Sequence, residues 1–263
     1  MESAPFLPGV ALLVSLALVP IVSSQSQTTQ GVPRDAQAAN IIQQTISKMG
    51  VVPADSTMTG TMTVTAGSST ETGSIEVLTR GVDQSRERTV TPTTTSDFVF
   101  SDGLASVSDG TTWKMSSLEW AQTAQSTVFP LPILARLLQD PDLAFAYVGQ
   151  EIVNGTSAFH IQFWNTFASN PQLQGLASLQ RKDLWISGVT GLPIRIAYTE
   201  QDGRGWYVPK REIQTTYESY QSINGVAYPL RIDRTLNRSP WQTITVNKVT
   251  FNSGLSDSNF PLE

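Results

Sequence analysis

The chain has 263 residues, no cysteine, one histidine, and 17 basic against 22 acidic side chains, with only 15% of its residues charged. No cysteine means no disulfide framework and no thiolate chemistry, and a lone histidine leaves little with which to hold zinc. A net charge of −5 without any basic run sets nucleic acid and anionic lipid surfaces aside as electrostatic partners.

Val10 to Val22 is apolar except for Ser15 and Pro20, and Val22 and Ser24 stand at −3 and −1 of a cleavage after Ser24. This is the pattern of a signal-peptide core and processing site. It is shorter than the roughly 20 residues a membrane span needs. The n-region departs from the pattern, carrying Glu2 and no lysine or arginine. A misassigned start is one explanation of that, and an uncleaved anchor is the alternative. Cleavage leaves 239 residues at a net charge of −4, enough for one large β domain. The expected organisation is a signal peptide over 1–24, a flexible leader over 25–33 and one domain over 34–263. The mature protein is expected to be periplasmic or secreted, without a transmembrane segment, and monomeric.

Asp35 is placed to cap a helix, with Ala39, Ile42, Ile46 and Met49 at helical spacing and Gly50 at its end. From Ser56 the period becomes two. Met58, Gly60, Met62 and Val64 share one face, and the next strand runs from Glu71 to Arg80 with Gly73, Ile75 and Val77 on one face. Shorter strands follow at Gln84 to Val90 and Asp97 to Phe100. Asp102-Gly103 and Asp109-Gly110 are hairpin turns, with Trp113 just beyond. Leu118 to Leu138 interrupts the sheet with a helical stripe, started by Pro130 and Pro132 and stopped by Pro141. Strands resume at Leu143–Tyr147, turn at Asn154-Gly155, and return through Phe159, Ile161 and Phe163. Phe167 to Gln180 reads as a surface excursion or short helix. Leu184–Ile186 and Pro193–Thr199 form a hairpin, and Gln201 to Gly205 is a polar loop before Trp206 and Tyr207. Arg211–Tyr220, Ala227–Leu236 and Trp241–Phe251 complete an antiparallel meander. In the last of these, Ile244 and Val246 have one parity and Val249 and Phe251 the other, so a β-bulge at Asn247-Lys248 is expected. The fold class is mainly β, with about eleven strands and a few helices.

Catalytic constellations are missing from this pattern. His160 lies in a strand opposite the phenylalanines, with no nucleophile elbow. Asp140-Pro141-Asp142 reads as a helix stop, since no further calcium ligands continue it. Glu200 and Asp202 are a conceivable acid–base pair, but a loop so polar is expected to face water. No phosphate-binding glycine loop occurs. No catalytic residue, metal site or cofactor is expected.

The order of elements, with Ser108-Asp109-Gly110-Thr111-Thr112-Trp113, Tyr147-Val148-Gly149, Gly191-Leu192-Pro193 and Tyr220 followed by Asn224-Gly225-Val226-Ala227-Tyr228-Pro229, resembles the bacterial lipoprotein-carrier (LolA/LolB-like) superfamily. The ending Leu255 to Phe260 is similar to members described as outer-membrane lipoprotein-sorting proteins. The resemblance implies one antiparallel sheet curved into an open half-barrel, with helices lidding a concave face that holds acyl chains. It implies a lining of Met58, Met62, Ile75, Val77, Trp113, Phe145, Phe159, Ile161, Ile194 and Ile196, and a lid of Ile42, Ile46, Leu134, Leu137 and Leu138. Arg80 stands near the position of an arginine that helps hold such carriers closed. The bland alternative for each lining residue is a filled core. A buried methylene is worth about 0.8 kcal/mol, so a long acyl chain stands to gain on the order of 10 kcal/mol before lid opening is subtracted. The implied partner is a lipid or lipidated protein. The alternatives are an envelope-stress sensory or interaction module that contacts an envelope protein, and a secreted hydrolase with an unrecognised site.

Overall fold

The computed structural model describes residues 32–123, 127–179, 181–200 and 210–262. The expected signal segment, the leader up to residue 31 and the loop 201–209, with Asp202, Trp206 and Tyr207, lie outside the described residues.

The first helix, α1 (Ala36–Met49), begins where expected, with the Asp35 carboxylate accepting the Ala38 amide at 2.8 Å. It ends at Gly50, whose φ of 106° and close approach to the Gly225 carbonyl leave no room for a Cβ. Strands β1 (Asp55–Ala66), β2 (Ser69–Arg80), β3 (Gln84–Val90), β4 (Thr95–Ser101), β5 (Leu104–Ser108) and β6 (Trp113–Met115) form one meander. Helices α2 (Leu118–Thr123) and α3 (Pro130–Gln139) follow. A second meander comprises β7 (Leu143–Val153), β8 (Thr156–Asn165), β9 (Lys182–Ser187), β10 (Pro193–Glu200), β11 (Arg211–Ile223), β12 (Val226–Leu236) and β13 (Ser239–Phe251).

All thirteen strands form one antiparallel sheet in the order β6-β5-β4-β3-β2-β1-β13-β12-β11-β10-β9-β8-β7. The meanders are joined where β1 pairs with β13, and the sheet does not close. The expected class is therefore observed, an open half-barrel with few helices. The strand count is higher than the expected eleven, because β5 and β6 are strands too. Ser106 and Ser108 dilute the apolar alternation there, so sequence period alone passes over them. The helical interruption is two helices rather than one, and Pro171–Leu179 forms 3-10 turns. Tight hairpins at Asp102-Gly103, Asn154-Gly155 and Asn224-Gly225 place both turn residues at positive φ, the twist that two-residue connections favour. The bulge lies at Asn247, where Thr59 faces Lys248 but Gly60 faces Val246. It brings Ile244, Val246 and Val249 to the same buried face.

The C-terminal segment crosses the outer face. The Asp55 carboxylate accepts hydrogen bonds from the amides of Ser253, Gly254 and Leu255 and from the Ser253 hydroxyl, at 2.7–3.2 Å. Phe260 is buried beyond it against Leu78 and Val99.

Candidate functional site

Residues paired across neighbouring strands share a face, so the register defines the concave surface row by row. One row runs Met62, Ile244, Ile232, Tyr217 from β1 through β13 and β12 to β11. The next runs Val64, Gln242, Arg234, Thr215, Ile196, Leu184, Ile161, Tyr147. On the other side of β1, Met58 continues to Val77, Glu87, Phe98 and Val107. Helices α1 and α3 cover this surface with Ile42, Met49, Leu131, Leu134 and Leu137.

Of the expected lining residues, Met58, Met62, Ile75, Val77, Phe145, Ile161 and Ile196 come together in this one cluster. Phe159 pairs with Ile186 on the same face and is half-buried. Trp113 and Ile194 are elsewhere. Trp113 packs beside Leu78 and Phe260, and Ile194 packs with Val153 and Trp185, both clusters of opposite parity on the outer face. A register shift between Pro193 and Arg195 defeats simple alternation at Ile194. The expected lid residues Ile42, Leu134 and Leu137 are buried in the cluster, with Ile46 and Leu138 half-buried against it. Ile42, Met58, Leu137 and Ile161 have no exposed surface at all, so the chain's own side chains fill the centre of the hollow.

Space remains at its flanks. A hollow of about 300 Å³ is lined by Glu87, Phe98, Trp120, Tyr198, Glu200 and Arg234 among others. It shares Trp241 and Gln242 with a hollow of about 360 Å³ beside Met62 and Val64. Another, of about 460 Å³, lies against α3 at Ile133, Arg136 and Leu137 and reaches Phe163 and Lys182.

Polar groups hold α3 in place. Arg34 donates to the last carbonyls of the helix, Leu137, Leu138 and Asp140, at 2.7–2.8 Å, with its guanidinium 4.9 Å from the Phe145 ring centroid. A cation there also complements the negative helix end. Arg136 bridges α3 to Asp83 in the β2–β3 turn at 3.1 Å. At the other end the Thr127 carbonyl accepts the Tyr217 hydroxyl at 2.5 Å, and Phe129 stacks on Tyr228 at 4.7 Å.

A cross-hollow ion pair is the element that sequence reasoning missed. Arg234 on β12 donates through both terminal nitrogens to Glu87 on β3, at 2.5 and 2.9 Å, and also reaches Gln242 at 3.0 Å. Three strands separate β12 from β3 in the sheet, so only a strongly curled sheet lets these side chains meet. Burial would lower the Arg234 pKa, but the adjacent Glu87 carboxylate more than offsets this and pushes it up. The legible signal was Arg234 standing at the parity of Tyr228 and Ile232, since a charge in an apolar register requires a partner inside. Lys182 sits similarly beside Leu184 and Ile186, with its ammonium 5.3 Å from the Tyr198 ring centroid. Burial, helped by the nearby Arg136, lowers its pKa to about 8. Glu200, expected to face water, is turned inward at 13% exposure, and burial raises its pKa against the pull of Arg211.

Arg80 bonds Gln84, forms an ion pair with Asp257 and lies over Phe260, so its partners are the adjacent strand and the C-terminal segment. His160 stacks on Trp185 at 4.5 Å between Glu151 and Asp183, and Arg195 covers the other side of that indole at 3.7 Å. Among the described residues no group of three or more acidic or histidine side chains is placed to hold a metal ion. Among the same residues no helix is long and apolar enough to cross a membrane.

Neither a family model nor a curated protein matches the sequence. Solved structures do match the fold. A LolA superfamily protein from Nitrosomonas europaea is similar at a TM-score of 0.56 and 14% identity, over 85% of this chain and 97% of its own. A DUF1329 family protein from Desulfovibrio piger is similar at 0.56 and 16% identity, over 88% and 100%. An outer membrane lipoprotein-sorting protein domain from Vibrio parahaemolyticus is similar at 0.54 and 14% identity, over 86% and 97%. The chain has the LolA-like fold.

Proposed function

We propose that this chain is an extracytoplasmic binding protein of the lipoprotein-carrier type, which holds acyl chains of a lipid or lipidated protein between the concave sheet and α3. The observation that carries this reading is the single apolar cluster in which Met58, Met62, Val77, Ile161, Ile196 and Ile232 of the sheet are covered by a helix that buries Leu131, Ile133, Leu134 and Leu137. An acyl chain and a leucine-rich helix bury against such a surface with nearly the same free energy per area. Cargo therefore exchanges with α3 rather than entering an empty space. What opposes the exchange is the set of polar contacts from Arg34 and Arg136, which lie at the rim where water substitutes for them.

The test is lipid extraction and mass spectrometry of protein purified from its native envelope, paired with titration of the delipidated protein by a fluorescent long-chain fatty acid. Bound acyl species and saturable binding at one site are expected. Clean apo protein that also fails to bind the probe overturns the reading.

A further inference from the structure

The flank hollow beside Glu87 and Arg234 has a chemistry that an all-hydrocarbon cargo does not need. Phe98, Trp120, Tyr198 and Trp241 line it together with two ion pairs, and buried charge is costly unless partnered. The two pairs differ. Glu87–Arg234 is bidentate, is completed by Gln242 and is nearly sealed from water, so little of it is accessible to a guest. Glu200–Arg211 is joined through Arg211 Nη2 at 3.1 Å, and Arg211 is 48% exposed. A guanidinium carries five donors in a planar fork, so Arg211 retains capacity for an anion. Glu200 is reached by the Trp120 indole, and Trp120 meets Phe98 edge to face at 5.1 Å. The indole turns its N–H edge to Glu200, so the carboxylate itself, inward in an aromatic-lined hollow, is the group that attracts a cation.

This charged end does not stand alone. It runs into the neighbouring hollow through Thr89, Ser96, Trp241 and Gln242, and that hollow has Met62, Val64 and Ala66 on one wall and Glu71, Thr91, Thr93 and Thr94 on the other. The groove thus has one end with an aliphatic wall and one charged, aromatic end. We propose that it seats an amphiphile with a zwitterionic phosphate–ammonium head, the ammonium on Glu200 among the rings, the phosphate on Arg211, and the tail along Met62 and Val64. The proposal rests on the reading above that this chain holds acyl chains; it seats the tail at the flank of the hollow rather than under α3, and it adds the class of head group. A zwitterion leaves the net charge of the site unchanged. A simple anion would compete with the Glu200 carboxylate for Arg211, and a simple cation would face Arg211 and Arg234 without an anion of its own.

Calorimetric titration of the full chain with dodecylphosphocholine, dodecyl phosphate, dodecyltrimethylammonium and free phosphocholine, each below its micelle concentration, tests this. The zwitterionic amphiphile is expected to bind about tenfold tighter than either singly charged one, and Glu200→Gln and Arg211→Gln each to reduce that advantage to about threefold or less. Arg211 is half-exposed at a strand start, so its variant carries the test should Glu200→Gln fail to fold by circular dichroism. Equal binding of the three dodecyl compounds overturns the head-group proposal and leaves the acyl-holding reading standing. Failure of all three to bind removes that reading as well. Free phosphocholine binding as tightly as the tailed compound overturns the amphiphile, because the tail then contributes nothing.

Discussion

Replacing Arg234 by methionine keeps most of the side-chain volume but removes the guanidinium that spans the hollow to Glu87. The Glu87 carboxylate, 13% exposed, then loses two charge-assisted hydrogen bonds, and among the described residues no other cation is bonded to it. Breaking one partner of a buried pair costs about 3–5 kcal/mol, and relaxation of Glu87 toward water places this case near the lower end, about 3 kcal/mol. That is a large share of the roughly 5–15 kcal/mol by which domains are stable. With a urea slope of about 1–3 kcal/mol per molar, the unfolding midpoint should fall by about 1–3 M. The double variant Glu87→Met with Arg234→Met removes both charges, and it should come within about 1 kcal/mol of the native chain. Urea unfolding followed by tryptophan fluorescence measures all three proteins. The reasoning is refuted if Arg234→Met leaves the midpoint essentially unmoved, or if the double variant is as unstable as the single one.

Arg34→Ala leaves three carbonyls at the end of α3 to water; with its exposure discounted, the local cost is about 1–2 kcal/mol. Hydrogen exchange should quicken through the last turn of α3 while the β1–β13 amides stay protected. Leu134→Ala, at a fully buried position of α3, should lower stability by about 2–5 kcal/mol and speed uptake of an acyl probe in stopped-flow mixing. Burial alone would raise the Asp55 pKa, but the hydrogen bonds from Ser253, Gly254 and Leu255 outweigh it and hold the value below the ordinary 3.8. The resulting stabilisation is fully present above about pH 4 and is lost as pH falls through the folded-state value. Hydrogen exchange at Ser253–Leu255, corrected for intrinsic rate, should therefore show protection lost in acid. Asp55→Asn should show that loss already at neutral pH, at a cost of about 2 kcal/mol.

The first helix, the long antiparallel strands and the bulge at Asn247 were legible because each rests on local chemistry. Asp35 and Gly50 punctuate α1, and the parity break between Val246 and Val249 demands an extra residue. Seven of the ten residues expected to line the concave face share one buried cluster and Phe159 lies on the same face, since alternation fixes a face once a strand is recognised. Trp113 and Ile194 were not legible, because alternation assigns residues to one of two faces and does not say which face is inside. Only the covering of the opposite face by the C-terminal segment, and the irregular register at Pro193, decide their places. The Glu87–Arg234 pair lies further out of reach. Its partners are 147 residues apart, and their meeting depends on how tightly the sheet curls, which no local pattern encodes.

A sealed barrel has its radius dictated by strand number and stagger. Here the ends β6 and β7 are not zipped together, so hydrogen bonding imposes no such circumference. Among the described residues, the girth is instead set by what spans the hollow: the salt link from Arg234 to Glu87 on the opposite wall and the apolar side chains of α1 and α3. Loosening either would let the same ribbon of strands open or tighten, with its backbone ladder intact throughout.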